Sequence, residues 1–341
     1  MHGRDAAPAL SVILPTSDDF SGVRLTVRAL HAQTVRHRIE LVLVVPDDDP
    51  GIIESEVSGF AKVTIVVAGP VVTSNRSRVA GIRAASAPIV ALAEDHSFPD
   101  ADWAEALITA HDHDYAVVGP VIRNANPRSM LSWANLLLEY GPWFEGSSGG
   151  DMPDVPGHNS AYRRSLLMSY GDELDEIFEV EAVVQRDLRA KGHKLFLEPR
   201  AKANHLNFSR LRPSLTLRLN AGRSFAGYRT LGWSFPKRAL YAVASPLIPV
   251  VRFVRIVRFL NRSRSYRFLI PRVLPLLSVA LITDGFGELL GYVFGPGRSP
   301  TTLGEIEFDR MRFMNSHDRL LLSNRIEELD ASRAEMAAFA G

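Results

Sequence analysis

From Leu10 to Val118 the chain alternates short runs of Val, Ile and Leu with longer helix-like stretches. The apolar runs are Leu10–Pro15, Glu40–Val45, Lys62–Val67, Pro88–Ala93 and Tyr115–Val118, and the helix-like stretches between them include Val23–Gln33, Arg76–Ala85 and Trp103–His111. Near-continuous aliphatic runs of this length mark strands buried on both faces, and their alternation with helices predicts an α/β fold with a mostly parallel sheet covered by helices. In such sheets ligands bind outside the carboxyl ends of the strands. The polar clusters fall there: Thr16–Asp19 after the first strand, Asp47–Asp49 after the second and Glu94–His96 after the fourth, so the three strand ends are expected to share one crevice.

The second half follows another pattern. Two apolar stretches, Ala239–Val251 and Val273–Thr283, fall short of the roughly 20 residues an uninterrupted spanning helix needs, which predicts segments that lie in a membrane interface or re-enter it. Between them Arg252, Arg255 and Arg258 recur among Val, Phe, Ile and Leu as a basic stripe on an apolar helix. Net charge over the 341 residues is only +1, yet Pro199–Thr283 holds sixteen Lys and Arg and no acid. Such a segment needs an anionic counterpart, and its aliphatic content favours an anionic membrane surface over nucleic acid. From Gly304 to Ala338 charged and apolar residues alternate again, as in amphipathic helices packed on the first domain or on a partner. The division expected is 1–210, 211–300 and 301–341.

Composition narrows the chemistry. The chain has no cysteine, which excludes disulfides, thiolate metal sites and cysteine nucleophiles. The N-terminal apolar run is cut short at Pro15–Asp19, too early for a secretory signal, so the first domain is expected in the cytoplasm. In ALAEDHSFPDADW (Ala91–Trp103) a buried strand ends directly in Glu94, Asp95 and His96, side chains able to hold a metal ion. The plainer reading is a strand-end turn capped by Asp95.

Six stretches together resemble the inverting family 2 glycosyltransferases with the GT-A fold, a Rossmann-like sheet flanked by helices. They are VILPT with LHAQT (Leu30–Thr34), ELVLVVPDD (Glu40–Asp48), SNRSRVAGIRAA (Ser74–Ala85), ALAEDHSFPDADW, GHNSAYRR (Gly157–Arg164) and EVEAVVQRDLRAKGHKLFLEP (Glu179–Pro199), covering most of residues 10 to 205 in the family's order.

The resemblance implies a nucleotide-diphosphate-sugar donor, a divalent cation (Mn²⁺ or Mg²⁺) and transfer with inversion. Glu94-Asp95-His96 stands where the family carries Asp-x-Asp, and it implies metal ligation by Asp95 and His96, with Glu94 on the donor side and His205 as a further metal or diphosphate contact. For the donor it implies Pro15 and Thr16 beneath the base, Asp47 (or Asp48) on the base or ribose, and Arg78 facing base and phosphates; the alternatives are a polar turn and a solvated helix face. Of the family's Glu-Asp pair only the second acid is present, at Val180-Glu181, which implies Glu181 as general base with Glu179 as the alternative. His158 and Asn159 fall in the loop that meets the acceptor or donor sugar. The acceptor implied is lipid-linked, a glycolipid or a surface polysaccharide, at the cytoplasmic face of the membrane. The altered triplet and the missing acid leave an inactive scaffold subunit as the alternative.

Overall fold

The structure, a computed structural model, describes residues 7–16, 20–47, 51–52, 54–69, 74–178, 180–262, 264–307 and 310–320. Its centre is one sheet of nine strands: β1 (Leu10–Pro15), β2 (Ile39–Val45), β3 (Lys62–Val67), β4 (Ile89–Leu92), β5 (Ser97–Pro99), β6 (Tyr115–Asn124), β7 (Gly150–Met152), β8 (Ala161–Arg163) and β9 (Lys194–His205). The order is β3-β2-β1-β4-β8-β6-β9-β5, with β7 also on β9. β1 to β4 pair in parallel, as does β6 with β9, whereas β8, β5 and β7 are antiparallel to their neighbours. The sheet is therefore mixed where the sequence pattern predicts a mostly parallel one, because strands of three residues carry no periodic signature.

β1, β2 and β4 are buried along their whole length, as continuous aliphatic runs require. β3 departs from that expectation: it is the sheet edge, and Ile65 and Val67 are exposed. β6 runs past Gly119-Pro120, where the sequence reading ends it, by means of a register shift between Pro120 and Val121 that re-forms the ladder with β9. Helices Phe20–His31 and Ser74–Ala84 then cover the β1–β4 half.

One acid sits inside this half. Glu40 of β2 is fully buried and accepts hydrogen bonds from Ser11 Oγ (2.5 Å), Thr64 Oγ1 (2.8 Å) and Ser86 N (2.7 Å), with Lys62 Nζ at 2.8 Å. Burial pushes its carboxyl up, but Lys62, Ser11 and Ser86 outweigh burial and hold it at about 2. Because the folded value lies below the ordinary 4.5, this stability is present above that value and is lost as pH falls towards 2. Glu40→Gln should therefore unfold at lower denaturant than the parent at neutral pH, with a gap that narrows on acidification; urea titrations at several pH values measure it.

The remaining helices form a second body. Leu211–Arg229 and Ile270–Phe294 lie together so closely that a Cβ on Gly222 would meet the Asp284 carbonyl oxygen at 2.1 Å, and one on Gly287 the Leu219 carbonyl oxygen at 2.2 Å. Both obstacles are backbone, so the helices themselves would have to part. Gly222→Ala is expected to lower the thermal midpoint, because overpacking costs roughly 1–3 kcal/mol and exceeds the gain of about 1 kcal/mol from replacing a helical glycine. Phe235–Ala244 and Leu247–Arg262 complete the body and meet at a bend of 58°. It joins the sheet domain through Met130–Tyr140, whose Trp133, Leu137 and Tyr140 share a core with Leu260, Val273 and Leu277.

Two expectations for this half change. The Val273–Thr283 stretch belongs to the helix Ile270–Phe294, part of a 29-residue helical segment, Tyr266–Phe294, that is long and apolar enough to cross a membrane, although nearly half of its apolar window is buried in the protein. The sequence reading ends it at Asp284, but Asp284 and Glu288 turn inward and the helix runs on. The arginine stripe is split as well: Arg252 pairs with Asp284 and approaches Glu288 at 3.7 Å, while Arg255 and Arg258 are exposed. A broad apolar surface is left outside, with Phe235 and Val243 each 82% exposed and Leu240, Leu247, Val250, Ile282 and Phe286 also exposed. Of the expected amphipathic tail, residues 321–341 lie outside the described residues, and 310–320 pack on the sheet domain through Met314 and Asp318.

Candidate active site

The β4 end places Glu94, Asp95 and His96 in a turn that is tied down from behind, since Thr26 Oγ1 donates to the Glu94 carbonyl at 2.8 Å. β9 ends beside it, and its last residue, His205, stacks edge-on against His96 with ring centroids 4.9 Å apart. Glu94, His96 and His205 each direct one ligand atom into a space where those atoms lie within 4.8 Å of one another. Asp95 is not in this group. Its carboxylate instead meets His96 Nδ1 at 2.5 Å, so the trio uses Glu94 where the sequence reading uses Asp95.

The trio suits a divalent cation. Burial, reinforced by Arg310, drops the pKa of both His96 and His205 well below the usual imidazole range and keeps the rings neutral. Each ring is also oriented through its other nitrogen: His96 Nδ1 on Asp95, and His205 Nδ1 at 3.0 Å from Asn207 Oδ1, which leaves Nε2 to face the site. A carboxylate or carbonyl behind a metal-ligating imidazole fixes its tautomer and raises its basicity. Burial pushes Asp95 up to about 7. Arg310, from beyond the helical body, donates to His205 Nε2 at 3.4 Å and to the Leu206 carbonyl at 2.8 Å, so a cation on His205 would have to displace this guanidinium from the Nε2 lone pair.

Glu181, the first residue of helix Glu181–Ala190, faces the same space, with Arg78 Nη1 at 2.7 Å and His158 Nδ1 at 3.5 Å. Burial raises its carboxyl, but His158 and Arg78 outweigh burial and hold it below the usual range, hence ionised. His158 lies equally 3.5 Å from Glu94, and Asn159 donates to Glu94 at 3.2 Å from a left-handed backbone (φ 61°). Arg78 Nη2 is 4.0 Å from Glu94. Arg78, Glu94, His96, His158, Asn159, Glu181 and His205 thus form one network; Arg78, Glu94, His96, His158 and Glu181 line one cavity together with Pro15 and Asp95, while Asn159 and His205 are buried and reach it through Glu94. Thr16 is buried at the β1 end and Asp47 is exposed at the β2 end. Glu179 and Asp48 lie outside the described residues.

Three members went unread in the sequence. Glu139, at the end of Met130–Tyr140, pairs with Arg218 at 2.7 Å; burial raises its carboxyl, but Arg218 and Arg310 outweigh burial and hold it well below the usual range. A lone acid closing the apolar run MLSWANLLLEY was the available signal for it. Arg218 and Arg310 carry no local signal, because distant packing brings them in.

Residues 11–171 match the model of glycosyl transferase family 2. This part of the chain is a family 2 glycosyltransferase domain. The mixed α/β sheet with flanking helices is the GT-A class expected of it. Among solved structures, the family 2 domain and its surroundings are similar to a mannosyltransferase, PcManGT from Pyrobaculum calidifontis, in complex with GDP-Man and Mn²⁺ (16% identity, 82% of this chain, 87% of that one, TM-score 0.49). They are also similar to GalNAc-T7 with UDP, GalNAc and Mn²⁺ (14% identity, 60% of this chain, TM-score 0.42), and the match spans only 44% of the GalNAc-T7 chain. No curated protein sequence matches the chain.

Proposed function

We propose that the protein transfers a sugar from a nucleotide-diphosphate donor, with inversion, to a lipid-linked, glycolipid or surface-polysaccharide acceptor at the cytoplasmic face of a membrane. The observation that carries this reading is the meeting of Glu94, His96 and His205 with the Glu181–Arg78 pair at the strand ends of a family 2 domain. Glu94, His96 and His205 would hold the divalent cation, which when bound neutralises charge on the diphosphate leaving group.

The chain's own residues account for the rest. Arg78 offers a planar fork of donors to phosphate oxygens from a buried position. Pro15 and Thr16 close the cavity beneath the base, and Asp47 reaches the base or ribose from the β2 end. Glu181 accepts the proton of the acceptor hydroxyl as that oxygen attacks the anomeric carbon on the face opposite the leaving group. Every Arg78 donor that turns from Glu181 to the diphosphate leaves Glu181 more basic, which ties base strength to donor binding. His158, between the Glu94 and Glu181 carboxylates, and Asn159, on Glu94, meet the transferred sugar. Calorimetric titration of nucleoside diphosphates with and without Mn²⁺ tests the reading: metal-dependent binding is expected, and its absence favours a scaffold.

For location, the exposed apolar surface of the three outer helices supports membrane association, with each surface Lys or Arg adding on the order of 1 kcal/mol on an anionic leaflet. We take 1–210 as catalytic, 211–300 as membrane-associated and 301–341 as a tail on the catalytic part. In flotation with anionic liposomes the full chain should rise at low salt and keep a salt-resistant, detergent-sensitive fraction. A chain that stays at the bottom at low salt defeats the membrane assignment.

A further inference from the structure

The cavity that begins at Glu94, His96 and Glu181 does not end at the sheet. It continues, about 720 Å³ in all, between the helices of the second body, where its walls turn apolar: Leu217, Ala221 and Phe225 on one side, Leu247, Ile248 and Val251 on the other. A nucleotide is polar and has its place at the β1 and β2 ends, so this extension serves something else. Two of its wall residues also belong to the outer apolar surface, Leu247 being 64% and Val251 55% exposed. The cavity therefore opens through the same apolar face that the exposed Leu240, Val243 and Val250 form.

Charge along this extension is arranged by role. Arg218 is taken by Glu139, and Arg252 by Asp284 and Glu288, so the acids of the helical part already have cations. Arg229 lies against the rings of Phe225, Trp233 and Tyr241. Arg255, one turn beyond Arg252, lines the cavity near its mouth and is exposed; it forms no ion pair within 4.0 Å among the described residues, and the carboxylate that feels its charge is Asp154, which Arg189 and Arg186 also serve. An exposed guanidinium at the edge of an apolar trough is complementary to a phosphate carried on an apolar chain.

Resting on the transferase reading, we propose that this extension is the acceptor site and that the acceptor is an amphiphile: one apolar chain bearing a phosphate, the chain in the trough and the phosphate on Arg255. The amphiphile enters sideways from the bilayer through the opening at Leu247 and Val251. The head group beyond the phosphate carries the acceptor hydroxyl: Glu181 takes its proton as the oxygen bonds to the anomeric carbon, and the nucleotide diphosphate leaves from the opposite face with the electron pair of the broken glycosidic bond.

The test uses the full-length protein and three probes below their aggregation limits: decyl phosphate, decyl glucoside and inorganic phosphate, each titrated calorimetrically, with a nucleoside diphosphate plus Mn²⁺ titrated separately. Decyl phosphate is expected to bind at least tenfold more tightly than either other probe. Arg255→Gln should bring decyl phosphate to within about threefold of decyl glucoside. Ala221→Trp should weaken both decyl probes at least tenfold, with nucleotide binding unchanged in both variants. Equal affinity for decyl phosphate and decyl glucoside in the parent overturns the phosphate assignment, and inorganic phosphate binding as tightly as decyl phosphate overturns the apolar trough. Arg255→Gln is an exposed change, so an unaltered preference for decyl phosphate in that variant sinks the role of Arg255 whatever becomes of Ala221→Trp. Loss of nucleotide binding in the parent would strike the transferase reading instead, so the two failures are distinguishable.

Discussion

Glu181→Gln is expected to cut turnover by roughly a hundredfold or more, the usual scale for loss of a general base, while binding of a nucleoside diphosphate with Mn²⁺ stays intact. The amide keeps the shape of the side chain and its contact with Arg78, now 2.7 Å from Nη1, so the cavity should hold its form. What it loses is the lone pair that takes the acceptor proton. Donor affinity should even rise slightly, because Arg78 then has one fewer carboxylate competing with the diphosphate. Initial rates with the acceptor, set beside nucleotide calorimetry, separate the two effects. Full turnover in the variant would show that Glu181 is not the base, and Glu179 would be replaced next.

Glu94→Gln should have the second large effect: loss of Mn²⁺ binding by about two orders of magnitude or more. His96 and His205 are neutral, so Glu94 brings the only formal negative charge to the trio. Its carboxylate also receives Asn159 and faces His158 and Arg78, so no nearby acid in the trio can take over its place. Asp95→Asn removes an orienting partner of His96 rather than a ligand, and such changes typically weaken metal affinity 10–100-fold. Calorimetric titration of Mn²⁺ into the three proteins gives the order directly. Glu94→Gln binding more tightly than Asp95→Asn would exchange the two roles and restore Asp95 as the ligand.

The β1 to β4 strands and the polar β4 end were readable in the sequence because local pattern and tertiary place agree there. Strands buried on both faces must be continuously apolar, so their ends announce themselves. Where the two diverge, reading failed. β5, β7 and β8 are too short for any period, and β6 was cut at Gly119-Pro120 because the bulge that rescues it depends on β9. Asp284 looked like the end of an apolar helix because its partner, Arg252, approaches from another helix. At the site, the triplet Glu94-Asp95-His96 could be read as a set of candidate metal-ligating side chains, but which of its carboxylates comes together with the two imidazoles is a matter of turn conformation. Glu139 and Arg310 join through packing across the whole chain. Their charge could be read in the sequence; their destination could not.

β9 ends on His205, far along the chain from Glu94 and His96, and Arg310 follows only after the helical body. During synthesis the β4 end therefore leaves the ribosome with an incomplete set of ion ligands, and the strand that finishes the set must be added to a sheet whose other members are already out. Contacts of such long sequence separation form late and slowly. If Glu94, His96 and His205 do hold the cation as proposed, a nascent chain halted before His205 has cleared the exit tunnel would hold the β1–β4 half without a complete cation site.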